Sequence, residues 1–246
     1  EAEFVSGKQE ADAESDVSES NASENAGIGS PEIVFEGKNL YHPFLGAKAV
    51  KNDFTIKDDN YYIITGANMA GKSTFLRSLG VNYILAMAGM PVFADQLKIS
   101  RFRLFSSMRT TDDLTHGISY FNAELIRLEE LLKFCKESIA GNKESLRTLI
   151  ILDEILKGTN SMDKQKGSFA LIKQFMALQA NGIIATHDLL LGSLIDLFPK
   201  DIQNYCFEAD ITNNELTFSY KLRDGIAQNM NACFLMKKMG IAVIDD

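Results

Sequence analysis

The chain has 246 residues, of which 46% are hydrophobic, and a formal net charge of −8. That length and apolar content suit one large α/β domain with an appended tail. Since no apolar run reaches membrane-spanning length and no signal peptide is evident, we expect a soluble, cytoplasmic protein that has no membrane partner. Cys135, Cys206 and Cys233 lie far apart, which argues against a zinc site or a disulfide framework.

The negative charge is concentrated at the start of the chain. Residues 1–30 contain eight acidic residues and one lysine, so only −1 of the net charge belongs to the rest. This segment is rich in serine and poor in apolar side chains, and we predict a disordered acidic linker or tail. Residues 31–246 form the predicted domain. Because the domain is nearly neutral, its charge gives no support for DNA binding by this segment.

Short apolar runs alternate with amphipathic stretches along the domain, a pattern typical of a mostly parallel sheet covered by helices on both faces. We predict strands at 33–35, 54–56, 61–65, one or two within 99–108, and at 149–152 and 182–185. We predict helices after residue 71, from 119 to about 140, over about 163–178 and over 227–239, and a hairpin that turns at 213–214.

A glycine-rich segment between an apolar strand and a helix reads G-x-x-x-x-G-K-S, which is a phosphate-binding loop. Its residues are Gly66, Ala67, Asn68, Met69, Ala70, Gly71, Lys72, Ser73 and Thr74. Backbone N–H groups and the positive end of the following helix would converge on the phosphates. We expect Lys72 to reach the β- and γ-phosphates and Ser73 to hold Mg²⁺.

An acidic pair ends a later apolar strand, in the pattern Leu152-Asp153-Glu154. We expect this strand to lie beside the strand of the phosphate loop. Asp153 would then hold Mg²⁺, directly or through water, and Glu154 would polarise the attacking water. His187 follows the next apolar strand. Because ligands bind at the carboxyl ends of strands in open α/β sheets, we favour a γ-phosphate sensor over a histidine that only hydrogen-bonds locally.

Ser119 stands immediately before an amphipathic helix. It suits the N-cap position, and a helix N-terminus also attracts anions, so a cap and a phosphate contact are compatible roles.

Together these motifs resemble the MutS family of DNA mismatch repair ATPases, over about residues 33–244. The matching segments are Gly66 to Thr74, Asp112-Asp113-Leu114 with Gly117-x-Ser119-x-Phe121, Leu152 to Asp163, Ala185-Thr186-His187, Tyr41-His42-Pro43 and Leu222 to Gly225. The substitutions are most similar to the shorter bacterial MutS-like proteins.

The resemblance implies a P-loop NTPase of ABC-ATPase type that binds ATP and Mg²⁺ and hydrolyses ATP. It implies a homodimer in which each nucleotide is closed by the partner, and DNA binding by domains outside this chain. Lys72, Glu154 and His187 would be catalytic, and Ser119 would touch the γ-phosphate bound to the other subunit. The dimer interface would include Gly158, Thr159, Ser161 and Asp163.

The chain departs from the family pattern at the adenine site. The aromatic residue expected there falls on Ala49, so Tyr41 or His42 could contribute instead. Two other functions share part of the motif set. A transporter-type nucleotide-binding domain would need a Leu-Ser-Gly-Gly-Gln signature, which Gly117 to Phe121 does not supply. A non-catalytic, ATP-gated dimerisation module remains the third reading.

Overall fold

A computed structural model of the chain describes residues 2–4, 33–108, 120–140, 146–156, 159–212, 215–228, 236 and 240. Its strands are β1 (Ala2–Phe4), β2 (Ile33–Leu40), β3 (Asn52–Lys57), β4 (Tyr61–Gly66), β5 (Gln96–Ile99), β6 (Arg103–Ser107), β7 (Thr148–Asp153), β8 (Asn181–Thr186), β9 (Ile202–Thr212) and β10 (Glu215–Asp224). Its α-helices are α1 (Lys72–Met87), α2 (Tyr120–Ala140), α3 (Ser161–Ala177) and α4 (Leu194–Leu197), and short 3-10 helices span Pro43–Lys48 and Leu189–Ser193.

The larger sheet has six strands in the order β10-β9-β4-β8-β7-β6, and all its neighbouring pairs are parallel except β10 with β9. Every residue of β4, β7 and β8 is buried, as the continuous apolar runs predict for strands covered on both faces. One apolar cluster packs α1 against one face, and a second packs α2 and α3 against the other. The predicted mostly parallel, doubly covered sheet is therefore confirmed.

The order of the central strands corrects one expectation, because β7 does not lie beside β4. Strand β8 lies between them and pairs with both. Parallel strands are joined by crossover connections, so strands that follow one another in the sequence need not be neighbours in the sheet. Strands β8 and β4 pack closely, since a Cβ at Gly182 of β8 would fall 2.3 Å from the ring of Tyr61 on β4. All three strands still end at the same edge of the sheet.

A second sheet, which the sequence did not reveal, has four strands in the order β1-β5-β2-β3. Its first strand, Ala2–Phe4, falls within the acidic segment 1–30 and pairs in parallel with β5. The predicted disorder of that segment stays a prediction. The alternating burial of β3 shows that one face packs on the core. Asn82 of α1, fully buried, ties this region together by donating to Tyr41 O and accepting from Phe93 N.

The predicted hairpin is confirmed by the antiparallel pairing of β9 and β10, whereas its turn at 213–214 lies outside the described residues. The last predicted helix does not begin at Ala227, which is not helical and donates its backbone N–H to the Thr65 hydroxyl, 2.8 Å away. Most of residues 229–246 also lie outside the described part. Within the described ranges, the helices are too short or too polar to cross a membrane.

Candidate functional site

The chain makes a tight turn between β4 and α1. Gly66 has φ 150° and Gly71 has φ 111°, and a Cβ at Gly66 would lie 2.5 Å from the Phe207 carbonyl oxygen. Glycine is required at Gly66 because the loop passes so close to the backbone of β9. Gly71 is the N-cap of α1 and supplies no capping side chain. A helix N-terminus of this kind is a ready site for an anion.

Lys72 is the first residue of α1, and its side chain folds back over the loop. The residue is only 5% exposed, and its Nζ donates to Gly66 O at 2.6 Å and to Ala67 O at 2.9 Å. These carbonyl contacts compensate part of the cost of burying an ammonium group. They also hold the ammonium against the loop, where phosphate oxygens would arrive.

A cavity of about 640 Å³ opens in front of the loop, within the range usual for small-ligand sites. The predicted loop residues that line it are Ala67, Asn68, Met69, Gly71, Lys72, Ser73 and Thr74. Gly66 and Ala70 do not line it, and Ala70 is buried in the core. Asp153 and Glu154 line the same cavity, so the structure brings the two predicted motifs together although their strands are not adjacent.

Asp153 provides the residue best suited to a cation. It is 5% exposed, and its Oδ2 atom is buried without a hydrogen-bond partner among the described residues. Buried carboxylate oxygens are normally paired, so an unpaired one on a residue that lines the cavity fits a metal ion. No group of three or more His, Cys, Asp or Glu side chains that could hold a metal occurs in the described ranges. One carboxylate with the hydroxyl of Ser73, which lines the same cavity, fits Mg²⁺, since this ion keeps waters and phosphate oxygens as its other ligands.

Glu154 and His187 are brought together at the ends of β7 and β8. The Glu154 backbone takes the left-handed conformation, with φ 58°, and its N–H donates to Ala185 O at 2.8 Å. This conformation is costly for a non-glycine residue and is common at functional sites. It places Glu154 Oε1 3.3 Å from His187 Nδ1. The two side chains assigned to water activation and phosphate sensing therefore contact each other.

The predicted dimer-interface residues are only partly described, because Ser119 and Gly158 lie outside the described ranges. Thr159 is half-buried, and Ser161 and Asp163 are exposed at the start of α3. Asn160 caps this helix, since its Oδ1 accepts from the Asp163 backbone N–H at 2.9 Å. Among the described ones, Thr159, Ser161 and Asp163 do not line the cavity, and the interface role of the whole set stays a prediction.

Of the two residues predicted as alternatives for adenine contact, only one lines the cavity. Tyr41 packs edge-on against Phe93 and does not line the cavity, whereas His42 does. Burial, and then the positive charge of Arg77, lower the pKa of His42. A lowered pKa favours the neutral imidazole, which is the form suited to a flat, uncharged base. Ala49 contributes nothing to the cavity lining, although its neighbour Val50 does.

Tyr220 is a cavity residue that the sequence did not reveal. The pairing of β9 with β10 shifts between Phe218 and Leu222, and Tyr220 there has φ 52°. Asn52 fixes this bulge by donating to Tyr220 O at 3.0 Å and accepting from Leu222 N at 2.8 Å. A bulge re-aims a side chain, and here the ring lies beside Gly71 and is 44% exposed. Residues 216–220 have the pattern of an ordinary strand, so no local sequence feature predicts the bulge.

A glycine-rich loop between a buried parallel strand and a helix, with an acidic pair at the same sheet edge, defines a P-loop α/β protein. The comparisons with known proteins identify the family. Residues 62–243 match the family model of MutS domain V, and the chain belongs to this family.

Similar proteins carry the MutS name in bacteria and a related name in yeast. The chain is 33% identical over 181 residues to the DNA mismatch repair protein MutS of Thermosipho melanesiensis, covering 72% of this chain and 21% of that protein. It is 30% identical over 213 residues to MutS of Aquifex pyrophilus, covering 85% and 24%. It is 30% identical over 203 residues to the DNA mismatch repair protein MSH3 of Saccharomyces cerevisiae, covering 78% and 19%. The chain thus spans about a fifth to a quarter of the length of these relatives.

Proposed function

We propose that this chain binds and hydrolyses ATP in the presence of Mg²⁺, as an ABC-type P-loop ATPase domain. The observation that carries the proposal is the shared cavity, which collects the loop residues Lys72 and Ser73 with the carboxylates Asp153 and Glu154. A phosphate cradle, a cation ligand and a base are the three parts that phosphoryl transfer to water requires.

In the proposed reaction, separate residues bind the phosphates, hold the cation and accept the proton from water. The loop and the N-terminus of α1 bind the phosphates, and Lys72 gives its ammonium group to the β- and γ-phosphate oxygens. Asp153 and Ser73 hold Mg²⁺, which neutralises charge on the phosphates when bound. Glu154 accepts a proton from water as the water oxygen bonds to the γ-phosphorus. The bond from that phosphorus to the bridging oxygen breaks, and ADP and phosphate are released. His187 senses the γ-phosphate.

The proposal extends to a homodimer that closes each site in trans, with Ser119 contributed by the partner subunit. The start of α3 is exposed and therefore accessible to a partner subunit, with Met162 62% exposed between Ser161 and Asp163. We further propose that DNA binds through domains outside this chain, and that the nucleotide state of this domain controls them in a DNA mismatch repair or DNA-processing protein.

Two substitutions at the cavity test the proposal. We expect Lys72→Ala to abolish ATP binding, because it removes the ammonium group from the loop. We expect Glu154→Gln to keep binding and lower turnover by about 10²- to 10⁴-fold, the usual contribution of a general base. The readouts are fluorescent-ATP titration and phosphate release, with Glu215→Gln, exposed on β10, as the matched control. Wild-type turnover in Glu154→Gln would contradict the role given to Glu154. Binding without any turnover in the wild type would favour a non-catalytic module.

A further inference from the structure

We propose that Lys164 is a positioning residue that fixes the tautomer of His187 and thereby orients Glu154. The inference rests on the proposed ATPase function and adds a residue to its catalytic site. Lys164 Nζ lies 3.4 Å from His187 Nε2, on the opposite side of the ring from the contact between His187 Nδ1 and Glu154 Oε1. The three side chains form one continuous line from α3 to the ends of β8 and β7.

The chemistry of the two end groups determines where the histidine proton sits. An ammonium group can only donate hydrogen bonds, and an ionised carboxylate can only accept them. His187 Nε2 must therefore accept from Lys164, and Nδ1 must carry the proton and donate it to Glu154. The other tautomer would direct an N–H at the ammonium and a lone pair at the carboxylate. Both contacts would be repulsive, so the tautomer is set from both sides.

The position of Lys164 within α3 supports a specific role over that of an ordinary surface lysine. Lys164 is the fourth residue of α3. Its backbone N–H donates to Asn160 O at 2.9 Å, which forms the first hydrogen bond of the first helical turn. A positive charge near a helix N-terminus is disfavoured by the helix dipole. Lys164 is nevertheless half-buried there against His187. Its acceptor is the imidazole, which keeps the ammonium in place.

The consequence for catalysis concerns the geometry of Glu154. The contact of His187 Nδ1 with Glu154 Oε1, at 3.3 Å, holds the carboxylate in one orientation relative to the water whose proton it takes. Removing Lys164 frees His187 to change tautomer or rotate, and the carboxylate loses this support. Small misplacements of a catalytic group are costly. We expect the turnover rate to fall about tenfold while the KM for ATP stays within about twofold.

The kinetic test compares three variants of the full 246-residue chain. Lys164→Met keeps the length of the side chain and removes its charge and donors, whereas Lys164→Arg keeps a donor. Lys166→Met, at an exposed position on the same helix, is the matched control. We expect the fall in kcat in Lys164→Met alone. Equal kcat values in Lys164→Met and the wild type would overturn the proposed role in catalysis.

The second readout does not depend on activity. The chain contains three histidines, so ¹⁵N-histidine labelling gives a simple long-range ¹H–¹⁵N spectrum, and the loss of one set of signals in His187→Gln assigns His187. We expect the Nδ1-protonated pattern in the wild type and in Lys164→Arg, and a shift towards Nε2 protonation in Lys164→Met. An Nε2-protonated wild type, or no change in Lys164→Met, would overturn the inference. Failure of the wild type to hydrolyse ATP would instead refute the proposed function, while the spectrum would still test the tautomer.

Discussion

Replacing Asp153 with Asn should make the ligand-free protein more stable. The carboxylate is 5% exposed, and Oδ2 has no hydrogen-bond partner among the described residues. A buried polar group left unsatisfied costs about 1–3 kcal/mol, and more when it is charged. The amide of Asn keeps a polar group at the same position but removes the charge, so only the part of the cost that comes from the charge is recovered, and we expect a gain of about 1–2 kcal/mol. For a domain of this size that corresponds to a rise in Tm of about 2–8 °C.

The assay is thermal unfolding in EDTA and again in Mg²⁺ with ATP, with Asp196→Asn on α4 as an exposed control. A ligand that binds only the folded state at 100 times its Kd adds about 2.7 kcal/mol. The wild type should gain this stabilisation and Asp153→Asn should lose most of it, so the order of the two Tm values should reverse. A Tm for Asp153→Asn at or below that of the wild type in EDTA would refute the reasoning.

Two further predictions concern the close packing of the loop at Gly66 and the contact of Tyr220 with the adenine base of ATP. Gly66→Ala should destabilise the fold by about 1–3 kcal/mol in urea unfolding, because its Cβ would meet the Phe207 carbonyl oxygen at 2.5 Å. Gly80→Ala, within α1 and with its closest contact at 3.8 Å, should stabilise by about 0.5–1 kcal/mol, and equal effects at both glycines would contradict the close approach. Tyr220→Ala should weaken ATP affinity about tenfold and Tyr220→Phe should preserve it, since ring stacking on a base contributes about 1–3 kcal/mol. Unchanged affinity in Tyr220→Ala would show that the ring makes no contact with the base.

Features encoded in contiguous residues could be predicted from the sequence. The phosphate loop combines a buried strand, glycines and a helix start in one short segment, and Asp153 and His187 each directly follow an apolar strand. Parallel strands that end at one sheet edge bring such residues together whatever their order. This explains why the cavity was predictable although the neighbour of β4 was not.

Features that depend on distant pairing could not be predicted. Strand β8 lies between β4 and β7, and the crossover connections that join parallel strands leave this order open in the sequence. Tyr220 reaches the cavity through a bulge held by Asn52, a residue far away along the chain. The contact of Lys164 with His187 joins two elements whose packing no local pattern specifies. In each case the functional geometry follows from tertiary contacts.

The proposed function places ATP hydrolysis at a site that a second copy of the chain completes. Phosphate release from ATP and Mg²⁺, measured as a function of protein concentration, tests whether that second copy is needed. We predict that specific activity rises with concentration and that Ser119→Ala lowers it. Specific activity that is well above background and independent of concentration would show that one chain suffices and would contradict the composite site. No activity at any concentration would contradict the claim that this domain hydrolyses ATP by itself.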